Sequence, residues 1–445
     1  MELRPYQYDL YVKTVSAFKQ GHHRVLVVSP CGSGKTMLMA HMATEAAKRG
    51  KIVWVILPRQ EIFEQFVETL DLFDKTEGYI YVGMAITTAN RVRELPKPDL
   101  VIFDECHISV ANTYWKIVNA APSAYIVGCT ASPIRSDNKP LGALYETLVE
   151  GVTVRWLIDN KYLCPYKYYS VTVADLSAIN NFENGEANIT LMKPAVYGKV
   201  IDNWKRFAGN MQTVVYATSV KHSLDTAKAF RKNGINAEHF DGSTPRAERA
   251  ELVSRFRKGE IQVLCNCDLI SMGFDMPDIG CVVMLRPTES CSLYIQQSGR
   301  ALRYKPNKTA VILDMVANYQ RFQMPDEPYE WSLDKPIRKQ RELNDNGDFY
   351  IRSCPECFLT FKTAPVCPFC GAEYPLHPRE IKAREEIELQ RITAEETARV
   401  EAEKKKARQE QGRADSFEAL VQLGKQRGYK NPAFWAAQVM RGRKR

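Results

Sequence analysis

Apolar residues in this chain come in short continuous runs rather than in strict alternation. HRVLVVSP (23–30), KIVWVILP (51–58), DLVIFDE (99–105) and SAYIVGCTAS (123–132) are separated by stretches long enough for helices. A strand that is apolar on both sides is buried on both sides, the state of a parallel strand covered by crossover helices. The rhythm starts again with QTVVYATS (212–219), NAEHFDG (236–242), IQVLCNCD (261–268), GCVVMLRP (280–287) and KTAVILDM (308–315). The pattern predicts two α/β domains, at 1–160 and 165–345, joined near LIDNKYLCPY (157–166). No short-period repeat is visible, so the duplication is architectural.

Past residue 345 the pattern changes. A cysteine-rich module is expected at 350–373, a charged helix or spacer at 378–412, and a basic helical tail at 414–445. The spacer is too poor in spaced apolar residues for a coiled-coil seam. Phe417, Leu420, Leu423, Tyr429, Phe434 and Trp435 give the tail enough apolar surface for a small helical unit.

Composition narrows the class. At 445 residues, 45% hydrophobic and 25% charged, the chain is too long for one core. No run approaches the ~18 apolar residues of a membrane span, and MELRPYQYDL lacks an apolar leader core, so neither membrane span nor signal peptide is expected. Eight of the twelve cysteines are scattered beside apolar runs, as reduced core cysteines are, which points to a cytoplasmic location. The net charge of +9 is concentrated at the end: after Glu418 there is no acidic residue, but seven Lys and Arg. Such a tail is either a solvated extension or a phosphate-binding one.

The candidate chemistry begins at VIFDECHISV (101–110), where an apolar run ends in two carboxylates, a thiol and an imidazole. Either a transition metal or a magnesium nucleotide could use these groups. The first run decides between them, because it leads into SPCGSGKT (29–36). Gly32 and Gly34, with Ser33 between, allow backbone N–H groups to turn toward phosphates at a helix start. Lys35 reaches the outer phosphates and Thr36 holds Mg²⁺. Ser29 stands where the strict pattern has Gly or Ala. Asp104, at the end of a strand of the same sheet, is then the second Mg²⁺ anchor, and Glu105 the group that orients or deprotonates water. Cys106 and His107 lack the paired spacing of zinc ligands.

PCGSGKT, DECH and CTAS in this order resemble motifs I, II and III of the superfamily-2 helicases. LRPYQ (3–7), LPRQEIFEQF (57–66), ITTANR (86–91), VVYATS (214–219), CNCDLISMGFDMPDIGCVV (265–283) and QQSGRALR (296–303) resemble the Q-motif-like start and motifs Ia, Ib, IV, V and VI. The resemblance covers residues 1–320. It implies two tandem RecA-like domains with ATP in their cleft. Arg4 and Gln7 would then face the base, with Gln7 reading adenine, and Gly273 and Asp275 would line the cleft. Arg300 and Arg303 would reach the γ-phosphate with Gln296 beside them, and His107, Thr130 and Ser132 would couple nucleotide to domain interface. Pro58, Arg59, Thr87, Thr88, Arg91 and Ser271 stand at the strand-contacting positions. Ser271-Met272-Gly273 departs from the family's Thr-Glu-Gly, and Cys267 replaces a frequent threonine, which puts the detail of strand contact in doubt.

The DEAD and HRIGR-like motifs of DEAD-box RNA helicases are absent, and the resemblance is to the DNA-directed branch that includes repair, restriction-motor and phage or prophage enzymes. The expected function is an ATP-dependent DNA helicase or translocase. The alternatives are an RNA helicase or remodeller, and a motor or clamp subunit that does not separate strands. A replication or repair protein is a further candidate partner, through the tail. Separately, Cys354-x2-Cys357-x9-Cys367-x2-Cys370 supplies two C-x2-C knuckles, so a zinc ribbon with structural Zn²⁺ is expected.

Overall fold

In the computed structural model the described residues are 2–73, 78–109, 111–135, 141–170, 194–267, 279–288, 290–334, 351–353, 359–362, 364, 366–372, 414, 416–426, 433, 436 and 440. Cys354, Cys357, Ser271, Gly273, Asp275 and the charged spacer lie outside them.

The chain forms two six-stranded sheets, each entirely parallel. The first holds β1 (Arg24–Val28), β2 (Val53–Leu57), β3 (Ile80–Met84), β4 (Leu100–Phe103), β5 (Tyr125–Thr130) and β6 (Thr147–Glu150), in the order β3-β2-β4-β5-β1-β6. The second holds β7 (Tyr166–Ser170), β8 (Thr213–Tyr216), β9 (Ala237–Phe240), β10 (Val263–Asn266), β11 (Cys281–Met284) and β12 (Ala310–Asp314), in the order β7-β12-β11-β8-β10-β9. These are the two α/β domains that the apolar runs predict. In β2 all five residues are buried, Trp54 among them, which is why KIVWVILP shows no alternation.

Three strands are not among the apolar runs. β3, β6 and β7 sit at sheet edges, and β3 and β6 are mostly half-buried. An edge strand keeps one side near water, so YIYVGM and ETLVE mix polar with apolar residues.

Two covalent crossings tie the sheets. One is the segment around the helix Val154–Asp159, which leads into β7. The other follows the helix Tyr319–Phe322, where Trp331 packs against the core of both sheets. At its end the Leu333 carbonyl accepts from Gly142 N–H at 2.9 Å.

Downstream, β13 (Ile351–Ser353) pairs antiparallel with β14 (Thr360–Lys362). Leu359 bridges to Tyr169, so this hairpin lies against β7, one of the two edge strands of the second sheet. The segment 366–372 turns back on itself: Cys367 N–H donates to Ala372 O at 2.8 Å, and Gly371, at φ +74°, donates to Cys367 O at 3.1 Å. Residues 374–445 form a separate unit. Within it the helix Phe417–Gln426 buries Leu420 with Ala436 and Met440. Among the described residues no helix is long and apolar enough to cross a membrane.

Candidate active site between the two sheets

The loop after β1 is shaped for an anion. Gly32 (φ +80°) and Gly34 (φ +84°) are left-handed, and the helix Lys35–Ala47 begins without a side-chain cap. Its first N–H groups therefore have no partner from a capping side chain, the condition under which a helix start binds phosphate. Ser33 Oγ donates to Pro30 O at 2.7 Å and lies 2.7 Å from Ser29 Oγ. Lys35 Nζ bends back to the carbonyls of Ser29 (3.3 Å) and Pro30 (3.4 Å). Thr36 follows in the first turn, half-buried.

The N-terminal helix Pro5–Lys19 braces this loop. Tyr6 OH donates to Ser33 O at 2.8 Å, and Gln7 Nε2 donates to Ser33 O at 2.9 Å and Gly34 O at 3.2 Å. Gln7 Oε1 accepts from Arg4 N–H at 3.0 Å. Both ends of the Gln7 amide are thus directed at protein groups in this conformation rather than at a base. Arg4 lies over the Tyr162 ring, 5.0 Å from its centroid, and Tyr162 stacks with Trp156 and meets Tyr6 at 4.8 Å. Tyr6, Trp156 and Tyr162 were given no role from sequence; the signals were that Tyr6 lies within LRPYQ (3–7) and Tyr162 within the joining segment LIDNKYLCPY (157–166).

At the end of β4, Asp104 and Glu105 enter the same region. Asp104 is buried, and its Oδ1 accepts from Glu105 N–H at 2.8 Å. Glu105 is held at φ +45°, a strained setting for a non-glycine residue. Its Oε2 is buried without a hydrogen bond; His107 Nδ1 is 3.3 Å away, at ion-pair distance but not aligned as a bond. Burial, with the Glu105 carboxylate beside it, pushes Asp104 above the ordinary carboxylate range. Burial opposes ionisation of Glu105 too, but His107, Lys35 and Arg300 outweigh it and hold its carboxyl below the ordinary range. An orphaned buried carboxylate oxygen beside a second buried carboxylate calls for a cation, and an all-oxygen donor set suits Mg²⁺.

The second sheet supplies the opposite wall. The helix Cys291–Gly299 packs so closely on the phosphate loop that a Cβ on Gly299 would come within 2.7 Å of Cys31 Cβ, and one on Gly32 would lie 3.9 Å from Arg303 Cγ. Gln296 is buried and its Nε2 has no hydrogen-bond partner. Ser132 Oγ, in the loop after β5, donates to Ser292 Oγ at 2.7 Å, a direct bond between the two domains. Thr130 Oγ1 lies 3.2 Å from His107 Nδ1. Ser292 was absent from the expected set; its spacing of four from Gln296 and eight from Arg300 is the signal that could have found it.

The expected strand-contacting positions divide. Thr87 and Arg91 are exposed, and Pro58 and Arg59 half-buried at the start of the helix Gln60–Leu70. Thr88 is different: it is fully buried and its hydroxyl donates to Met84 O at 2.9 Å. Thr87 and Thr88 are ~100° apart around one helix, and packing turns Thr88 inward. The expectation of a phosphate contact at Thr88 is therefore corrected. Among the described residues no group of three His, Cys, Asp or Glu gathers as a metal centre. Cys367 is buried and Cys370 exposed.

Comparison with known proteins gives a consistent result. Residues 195–305 match the family described as helicase conserved C-terminal domain, and residues 1–93 and 72–135 match the family described as type III restriction enzyme, res subunit. A 51.5 kDa protein of a Lactococcus phage is 34% identical over 377 residues, covering 83% of this chain and 82% of its own. A Saccharomyces cerevisiae protein named as an ATP-dependent helicase, IRC3, is 29% identical over 69% of this chain, which spans only 50% of it. The DNA 3′-5′ translocase XPB2 of Sulfurisphaera tokodaii is 24% identical, covering 71% of this chain and 82% of its own. Among solved structures, a fragment assigned to an HsdR subunit of a type I restriction enzyme from Vibrio vulnificus superposes with TM-score 0.60 at 23% identity, covering 73% of this chain and 66% of that one.

Proposed function

We propose that this chain, which belongs to the superfamily-2 helicases, is a DNA motor of the DECH type that couples ATP hydrolysis in its inter-sheet cleft to movement along a strand. The observation that carries the reading is the closed contact between the two walls. The phosphate loop of one sheet meets the helix Cys291–Gly299, which carries Gln296, and the segment after it, which carries Arg300 and Arg303, and the Arg300 charge acts on Glu105.

Thr36 and Asp104 are the residues that would hold Mg²⁺, which draws charge from the terminal phosphates when bound. Lys35 and the loop N–H groups hold the phosphates, releasing the carbonyls of Ser29 and Pro30 that the amine now contacts. Glu105, ionised and without a hydrogen bond at Oε2, takes the proton of the attacking water. Arg300 and Arg303 stabilise the charge that spreads over the phosphoryl group in the transition state. Arg4 and Gln7 stand beside the loop where an adenine would lie; reading it with Gln7 requires the amide to leave Ser33 and Gly34. Gly273, Asp275 and Ser271 complete the assignment by family position only.

DNA is favoured as the track because the archaeal relative is a DNA translocase. Pro58, Arg59, Thr87 and Arg91 are the first-domain groups that would grip the strand's phosphates without reading sequence. The similarity to a restriction-enzyme res subunit favours a second reading, a motor subunit that moves on duplex without separating it. Cys354, Cys357, Cys367 and Cys370 are assigned to one structural Zn²⁺, supported by the tight turn through Cys367 and Gly371.

The test is ATP hydrolysis by the purified protein, alone and with single-stranded DNA, duplex DNA or RNA, beside a Lys35→Ala control. Stimulation by DNA that disappears in the control is expected. Stimulation by RNA alone overturns the track, and a strand-displacement assay separates the motor-subunit reading from unwinding.

A further inference from the structure

The bond between Ser132 and Ser292 is the end of a longer chain of contacts. Ser132 is fully buried and Ser292 nearly so. Ser132 N–H donates to Thr130 Oγ1 at 3.2 Å, while the Thr130 hydroxyl donates its one proton to Ser132 O at 3.0 Å. Toward His107 Nδ1, 3.2 Å away, Thr130 Oγ1 can then only accept, so Nδ1 carries the ring proton. That same nitrogen lies 3.3 Å from Glu105 Oε2. That nitrogen stands between the water-activating carboxylate and Thr130, whose hydroxyl fixes the backbone of Ser132, the residue whose side chain reaches the other domain.

The far end is well placed to matter. Ser292, Gln296 and Arg300 are four residues apart, so they lie one above another on a single face of the helix Cys291–Gly299 and its C-terminal cap. On this face Gly299 also meets Cys31. At Ser292 the face is held by a directional bond as well as by shape.

We propose that Ser292 is a positioning residue for hydrolysis: its bond with Ser132 seats the helix that carries Gln296 and Arg300 against the Glu105 side of the cleft. The proposal rests on the ATP reading of that cleft. The Ser292 hydroxyl is engaged with Ser132, so Ser292 is expected to act on the rate of the chemical step and not on nucleotide affinity.

The experiment measures kcat and KM for ATP without nucleic acid, and the Kd of a fluorescent non-hydrolysable ATP analogue, for Ser132→Ala, Ser292→Ala, the double variant and Ser292→Thr. Loss of one buried hydrogen bond predicts a kcat lower by about three- to tenfold in each single alanine variant, with analogue Kd within about twofold of the parent. The double variant should be no slower than the slower single, because both remove the same bond. Ser292→Thr, which keeps the hydroxyl, should recover most of the rate. Unchanged kcat in Ser292→Ala, multiplying losses in the double variant, or a loss of analogue affinity in step with kcat would each overturn the proposal. Should Ser292→Ala melt early, Ser132→Ala and Ser292→Thr answer the same question from either side of the bond. Undiminished hydrolysis in a Lys35→Ala control would instead fault the ATP reading itself.

Discussion

Replacing Gly34 by alanine should damage the protein in two separable ways. At φ +84° a Cβ costs about 1 kcal/mol of backbone strain. The same Cβ would run into Gln7 Nε2. Gln7 is buried and cannot yield without breaking its bonds to Ser33 O (2.9 Å) and Gly34 O (3.2 Å), together worth about 2 kcal/mol. Gly34→Ala should therefore cost about 3 kcal/mol, and Gln7→Ala about 2 kcal/mol through the same bonds. The double variant should cost about 3 kcal/mol rather than about 5 kcal/mol, because the methyl added at position 34 enters space that Gln7 no longer occupies. Calorimetry without nucleotide reads this directly. For a domain of this size about 3 kcal/mol lowers the melting midpoint of the first-sheet transition by about 6–12 °C. Full additivity of the two single losses would refute the argument that Gln7 and Gly34 share one space.

Three further outcomes are expected. His222 is buried, which lowers it to about 4, and its Nδ1 accepts from Thr218 N–H at 3.4 Å, so it is neutral in the fold. The unfolded chain takes up that proton below its ordinary value near 6.5; stability present above pH ~6.5 should thus fall by up to about 3 kcal/mol as pH drops toward 4. The pH dependence of urea midpoints should be shallower in His222→Asn, and an unchanged slope would contradict this. Cys367→Ser should lose about one equivalent of zinc in elemental analysis, and full zinc content would remove Cys367 from the ligand set. Deleting residues 374–445, a separate unit whose end is strongly basic, should weaken DNA binding and flatten its salt dependence while sparing basal ATP turnover. Equal affinity at matched salt would exclude the tail from DNA binding.

The sequence by itself determined both parallel sheets and the phosphate loop. Interior parallel strands must be apolar on both sides, so β1, β2, β4, β5, β8, β10, β11 and β12 are written as runs anyone can read. A phosphate loop is equally local: its glycines, lysine and threonine act within eight consecutive residues, and the structure puts Gly32 and Gly34 left-handed as that chemistry needs. Only the tertiary structure decided the rest. Edge position made β3 and β6 amphipathic and hid them. Packing, not identity, chose Thr87 over Thr88 as the outward hydroxyl and directed both ends of the Gln7 amide at backbone. The bond between Ser132 and Ser292 joins residues 160 positions apart. Serine is an ordinary helix-start residue, and what gives this one a role is the domain that closes against it, which no local pattern records.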